Sequence, residues 1–295
     1  MINLEVRKER QKLFNPHPDK FKTIILDEEW KVYNNANLSI HVTDKCNADC
    51  GFCIAHLRYL NEGLVYLKPE MRDDDKYYQR LDDVLKLTKY INPSVSITGG
   101  EPTVNRKLPY ILDILSSHDV RKRTITTNGT GLFYKAKENK TVLDALSDYK
   151  LEHLNISRAH FDSKLNAEIM VMKEHLMPDG RLEEIIQEAK IKGIKTRLSC
   201  ALLKNGISKI EDVMKYIEWG LNLGVDNVIF RQLMQFEQNK VEPGRIPNYC
   251  IEEEIDLNPL WNEFDKNKDF EFYHQVLGYY YYVEVRNYKG INVVS

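Results

Sequence analysis

The sequence predicts an α/β protein: a partial (β/α)6 barrel followed by a C-terminal β-rich extension. Three observations carry this expectation. Six short stretches read as strands, by alternation or by β-branched content, and helical patterns separate them, which is the signature of a parallel sheet made of βα units. A cysteine run and two glycine turns fall directly after predicted strands, at the strand ends where such folds place their active sites. After Gln235 the texture changes to a loop and then to aromatic and β-branched residues. Six strands are two short of a closed eight-stranded barrel.

Residues 1–36 are charged, carry Pro16, Pro18, Asn34 and Asn35, and read as a short strand or helix and a loop leading into a core at 37–236. Leu38 to Thr43 alternates as a strand does, and the cysteine run is the loop after it. A helix is expected from Cys53 through Leu60 and another over Asp73–Tyr90, with Asp73, Asp74 and Asp75 at its positive N-terminal end. Val95–Thr98 is a strand that ends in Gly99-Gly100-Glu101-Pro102, and a helix follows at Leu108–Ser116. Arg123–Thr127 ends in Asn128-Gly129 before a helix at Val142–Tyr149. His153–Ser157 precedes helical stretches at 163–176 and Arg181–Lys192, and Lys195–Leu203 precedes a helix at Lys209–Leu223. Val225–Leu233 is the last strand of the series. Within the extension, 237–295, residues 237–250 read as a loop around Pro243, Gly244 and Pro247, Ile251–Phe264 holds a helix, and Phe270–Ser295 forms two or three antiparallel strands.

At 295 residues, 42% hydrophobic and 29% charged, the chain buries a full core, and disorder is excluded as its main state. The formal net charge of −2 gives no global field toward nucleic acid or an anionic membrane, so neither is expected as a partner. No apolar run approaches the roughly 20 residues of a membrane-spanning helix, and Met1-Ile2-Asn3-Leu4-Glu5 is no signal peptide, so a cytoplasmic location is expected. Five cysteines, three of them crowded, point to metal or catalysis rather than to a disulfide framework.

The crowded three are Cys46, Cys50 and Cys53, in a C-x3-C-x2-C run. Three thiolates are one short of a closed zinc site or a fully ligated iron–sulfur cluster. Either a fourth ligand comes from elsewhere, with His41 or His56 completing a zinc knuckle, or one metal position stays open for a small chelating cofactor. Gly99 and Gly100 directly follow a strand, where glycines let a ligand approach the backbone, and Glu101 adds an acceptor for a cationic amine.

In these motifs the chain resembles the radical S-adenosylmethionine (radical SAM) superfamily, over about residues 37–236. The resemblance implies one [4Fe–4S] cluster on Cys46, Cys50 and Cys53, with SAM chelated to the open iron and the Gly99-Gly100-Glu101 turn at its amino group. It also implies a 5′-deoxyadenosyl radical that takes hydrogen from a substrate, and an electron donor such as flavodoxin or ferredoxin. Val42 to Asn47, Ile97 to Pro102 and Thr126 to Gly129 are most similar to the molybdenum-cofactor GTP cyclase branch. By that matching Thr126 and Ser157 contact SAM, Arg197 meets its carboxylate, and Phe52 packs near the adenine.

The departures from that branch are equally informative. Of a second cysteine triad only Cys250 is present, two GTP-holding arginines are replaced by Ser39 and Ser96, and the chain ends in Val293-Val294-Ser295 rather than Gly-Gly. A single-cluster enzyme acting on a peptide or a small natural-product intermediate is therefore expected. The alternatives are an activase for a whole protein and a non-catalytic zinc- or iron–sulfur-binding protein. Cys250 reads as a loop cysteine or a hydrogen-atom donor, and Cys200, between Leu198 and Leu202, as a core thiol. Arg158, His160 and Asp162 past the fourth strand, and Arg231 at the end of the sixth, are candidate substrate contacts. Tyr279 to Tyr282 read as a packed strand rather than a radical relay.

Overall fold

A computed structural model describes residues 20–33, 36–57, 60, 74–277 and 282–295. The chain enters through a β-hairpin, β1 (Lys20–Ile25) and β2 (Glu28–Tyr33), whose two turn residues, Leu26 and Asp27, hold positive φ. Then come β3 (Asn37–His41), α1 (Asp74–Thr88), β4 (Ser94–Thr98), α2 (Leu108–Ser116) and β5 (Lys122–Thr127). A small hairpin, β6 (Lys135–Lys137) and β7 (Lys140–Thr141), leads into α3 (Val142–Asp148). The series closes with β8 (His153–Ser157), α4 (Ser163–Ile169), α5 (Arg181–Ile191), β9 (Lys195–Ala201), α6 (Ile210–Leu223) and β10 (Asn227–Arg231).

Strands β3, β4, β5, β8, β9 and β10 lie side by side in chain order and all run parallel. This is the partial (β/α)6 architecture expected. Its two faces differ sharply, because the strands alternate. Val95, Ile97, Ile125, Leu154, Leu198 and Val228 are fully buried and join one core with Leu108, Ile111, Leu143, Ile185, Val213 and Ile217 of the helices. Burying each such side chain contributes about 1.5–3 kcal/mol. The other face carries the polar partners of the same strands.

The extension continues this sheet. After α7 (Arg245–Glu253) and α8 (Asn258–Lys266) come β11 (Phe270–Leu277), β12 (Tyr282–Tyr288) and β13 (Ile291–Val294). β13 pairs with β10 in parallel, and β12 and β11 then add antiparallel, so nine strands form one sheet. The antiparallel reading of the tail thus holds for two of its junctions, but β13 joins the barrel strands in their own direction. Trp261 and Phe264 of α8 are fully buried, with Phe264 4.6 Å from Phe270 and Phe270 4.7 Å from Tyr288 between ring centroids.

Two further expectations are corrected. The helix expected from Cys53 through Leu60 is a single 3-10 turn, Ile54–His56, among the described residues. None of its three residues is buried, so no tertiary packing extends it. Residues 245–250, expected as loop, open α7: Gly244 starts that helix and Pro247 falls in its first turn, where a missing N–H costs nothing. Residues 1–19, Asp73 and Tyr279 to Tyr281 lie outside the described residues.

Candidate functional site

The cysteine loop leaves the C-terminal end of β3 and is held from four sides. Gly100 donates its N–H to the Thr43 carbonyl (2.5 Å) and Glu101 to that of Lys45 (2.9 Å). A Cβ at Gly100 would stand 2.0 Å from the Lys45 carbonyl oxygen, and one at Gly99, whose φ is +140°, would stand 2.6 Å from that of Thr43. The glycines were expected to admit a ligand; the space they free is instead filled by the backbone of the cysteine loop. On a second side the Asn47 amide donates to Thr130 Oγ1 (2.8 Å) and accepts from the Asn128 side chain (2.8 Å). On a third, Asp49 donates its N–H to the Met170 and Val171 carbonyls, 3.2 Å each. On the fourth, α7 contributes Arg245, which pairs with Asp49 Oδ1 at 2.5 Å, and Tyr249, whose ring occupies the space beside Gly51. Phe52 stacks obliquely on the same tyrosine, 6.5 Å between centroids.

Cys46, Cys50 and Cys53 are free thiols; Cys46 is exposed and the other two are partly covered. Burial, then the nearness of Cys53 and Cys46, pushes the Cys50 thiol up to about 12. The Cys46 thiol is raised as well, by lost hydration first and then by Glu101 and Cys53, although the residue as a whole is exposed. Three thiolates here would repel one another, and a bound cationic centre reverses that balance. This donor set therefore fits an iron–sulfur cluster, which spreads its thiolates over separate irons. Among the described residues no group of three His, Cys, Asp or Glu side chains stands close enough together to hold one metal ion.

Glu101 is 2% exposed and ties the first glycine turn to the second. Its Oε1 accepts from the Thr103 N–H (2.9 Å), the Thr103 hydroxyl (2.6 Å) and the Thr127 hydroxyl (2.5 Å), and its Oε2 from the Asn128 N–H (2.6 Å). Burial raises its carboxyl, against the pull of those hydrogen bonds. Thr127 and Asn47 are functional neighbours that motif reading passed over. The signal was available in the strand alternation, which points Thr126 and Thr127 to opposite faces.

The polar face is built in rows. Thr126, Asn155, Arg197, Asn227 and Asn292 are successive register partners across β5, β8, β9, β10 and β13, with Ser157 and Ser199 one row above. Arg197 Nε donates to Asn227 Oδ1 (2.5 Å) and Arg231 Nε to Ser199 Oγ (3.1 Å). Burial lowers both guanidinium pKa values, and Arg231 lowers that of Arg197 further. Neither arginine pairs with a carboxylate among the described residues. Asn155 Oδ1 and His153 Nδ1 are buried on this face without a hydrogen-bond partner from the protein. The structure thus brings Thr126, Ser157, Arg197 and Arg231 onto one face.

Arg158 and His160 are placed elsewhere. Arg158 follows Ser157 and so turns to the helix side, where it is buried and donates to the His160 carbonyl (2.9 Å) and Ser163 Oγ (2.9 Å). His160 Nδ1 accepts from the Asp162 N–H (3.0 Å), and Asp162 caps α4 through the Leu165 N–H. These three residues stitch the turn after β8 and do not line the polar face. Cys250 is helical rather than in a loop; it is buried in the core, as is Cys200.

Comparison with known proteins agrees with this geometry. The sequence profile of the radical SAM superfamily matches residues 40–228. A probable GTP 3′,8-cyclase of Sulfurisphaera tokodaii is 28% identical over 65% of this chain and 54% of that protein. The GTP 3′,8-cyclase of Bradyrhizobium diazoefficiens is 26% identical over 72% of this chain and 56% of that protein. The chain therefore spans a little over half the length of these curated relatives. In fold it is similar to Streptococcus suis SuiB, solved with S-adenosylmethionine (TM-score 0.52, 22% identity, 80% of this chain and 48% of that one). SuiB with its precursor peptide SuiA gives a TM-score of 0.54 at 23% identity, over 80% of this chain and 46% of that one. A cysteine loop clamped to a Gly-Gly-Glu turn above a six-stranded parallel sheet, together with a profile match across most of that sheet, makes this chain a member of the radical SAM superfamily.

Proposed function

We propose that the chain abstracts a hydrogen atom from an unactivated carbon of a peptide or a small natural-product intermediate. The cofactors of its family are a [4Fe–4S] cluster and SAM, which together supply one-electron cleavage of SAM to methionine and a 5′-deoxyadenosyl radical. In this reading Cys46, Cys50 and Cys53 hold the cluster. Thr126 and Ser157 offer hydroxyls to SAM, Arg197 offers its guanidinium to the SAM carboxylate, and Phe52, braced on Tyr249, borders the adenine. Gly99, Gly100 and Glu101 fix the distance between cluster loop and SAM face, and Glu101 acts as a positioning residue through Thr127 and Asn128. A low-potential carrier such as flavodoxin or ferredoxin supplies the electron.

The observation that carries the proposal is the interlock of three turns at one end of one polar face. Cyclisation of GTP is not proposed, because Ser39 and Ser96 stand where the cyclase branch holds its nucleotide with arginine. Anaerobic reconstitution tests the reading. The native chain is expected to take up iron and sulfide and to form 5′-deoxyadenosine from SAM under reductant, and Cys50→Ala to lose both. One equivalent of zinc without iron or sulfide in the native chain, or undiminished 5′-deoxyadenosine from Cys50→Ala, overturns it. No helix among the described residues is long and apolar enough to cross a membrane.

A further inference from the structure

We infer that the opposite end of the sheet carries an anion site, formed by Lys122, His153, Lys190 and Lys195, that takes a phosphoryl group. Lys122, His153 and Lys195 are the first residues of β5, β8 and β9, at the strand ends remote from the cysteine loop. His153 is the register partner of both Thr124 and Lys195, and Lys122 precedes Thr124 by one alternation, so all three share the polar face. An open cleft of about 520 Å³ is lined by His153, Lys190, Lys195, Asp226, Asn227 and Asn292 among others, and Lys122 stands on the strand next to His153.

Charge and burial say what the cleft accepts. Among the described residues no carboxylate lies within ion-pair distance of Lys122, Lys190, Lys195 or Arg197. Two carboxylates are near, and both serve the backbone: Asp226 Oδ2 accepts from the Thr196 N–H (2.7 Å) and Glu152 Oε1 from that of Arg123 (3.1 Å). The three ammonium groups of Lys122, Lys190 and Lys195 suit the three terminal oxygens of a phosphoryl group better than the two of a carboxylate. Nδ1 of His153 is buried with no partner, and its ring is held at a pKa of about 4 by burial, then by Lys122, Arg197 and Lys195, with Glu152 opposing. Lys122 is lowered too, by burial and then by Arg197. The strand N-terminal end of such folds ordinarily serves stability, which crowded, uncompensated cations oppose. The charge also stands on different strands from Ser39 and Ser96, which lie on β3 and β4.

Inorganic phosphate, with acetate as the competing carboxylate, is the probe. Titration of the full chain by calorimetry is expected to give saturable phosphate binding, weakened about tenfold or more in Lys122→Met/Lys195→Met and unchanged in Lys164→Met, a loss of at least about 1.4 kcal/mol. In the native protein the His153 ring, followed by NMR, is expected to move up from about 4 toward its ordinary value as phosphate saturates. This second measurement decides the matter should the double variant fail to fold. Non-saturable binding, binding indifferent to the double substitution, a static His153, or acetate bound as tightly as phosphate each overturns the site. Absent phosphate binding in protein that still cleaves SAM sinks this inference alone. Phosphate binding in reconstituted protein that cannot cleave SAM leaves the site standing and sinks the function.

Discussion

Lys45 presents its carbonyl oxygen at the place where a side chain on residue 100 would begin. Gly100→Ala is accordingly expected to cost about 1–3 kcal/mol, because the obstacle is backbone and cannot rotate aside. The melting temperature and the iron retained after reconstitution should fall together; an alanine variant with native stability and full iron would refute the packing role. The residues of this turn were legible from the sequence, but their reason was not. A glycine pair after a strand says that something comes close, and only the fold shows that the visitor is the loop after β3. Glu101 is a similar case: as a bare carboxylate it reads as an amine ligand, whereas its buried surroundings give it four donors from Thr103, Thr127 and Asn128.

Within each strand the alternation sorts the functional residues more reliably than motif matching does. Thr126 and Thr127 are adjacent, yet Thr127 binds Glu101 on the buried side while Thr126 is register partner to Asn155 on the polar side. Thr126→Val should weaken SAM binding by about 1 kcal/mol and leave folding unchanged, while Thr127→Val should lower stability by about 1–3 kcal/mol. Equilibrium dialysis with SAM and thermal unfolding separate the two, and equal effects on both readouts would contradict the assignment of faces. The same parity rule makes Arg158 a turn-binding residue, since it follows Ser157 by one. Helix ends were harder to read. Pro247 looks like a loop signal in sequence, but in the first turn of α7 it is compatible with helix, and that helix supplies Arg245 and Tyr249 to the site.

At the scale of the molecule, the six parallel strands were legible because each carries its own period and its own turn. The direction of β13 was not, since β-branched composition announces a strand without naming its neighbour. That extension is fastened by a buried ion cluster as well as by aromatic packing. Arg286 pairs with Glu284, and with Asp265 at 3.0 Å, while Trp261 Nε1 donates to Ser295 Oγ (2.7 Å). Arg286→Ala would leave the buried Glu284 carboxylate without this guanidinium, and the loss expected is about 3–5 kcal/mol. Urea unfolding monitored by far-UV circular dichroism measures it; a loss under about 1 kcal/mol would show that the aromatic contacts alone secure the extension.

The interlocked turns have a thermodynamic consequence. Backbone touches backbone between the cysteine loop and the Gly99-Gly100-Glu101 turn, and Glu101 passes directly to Thr127 and Asn128, so the three turns are joined by direct hydrogen bonds. With the cluster on the cysteines and SAM on the polar face as proposed, cluster occupancy and SAM affinity are linked equilibria. Whatever factor a bound cluster adds to SAM affinity, bound SAM must return in holding the cluster, so each cofactor guards the other against loss.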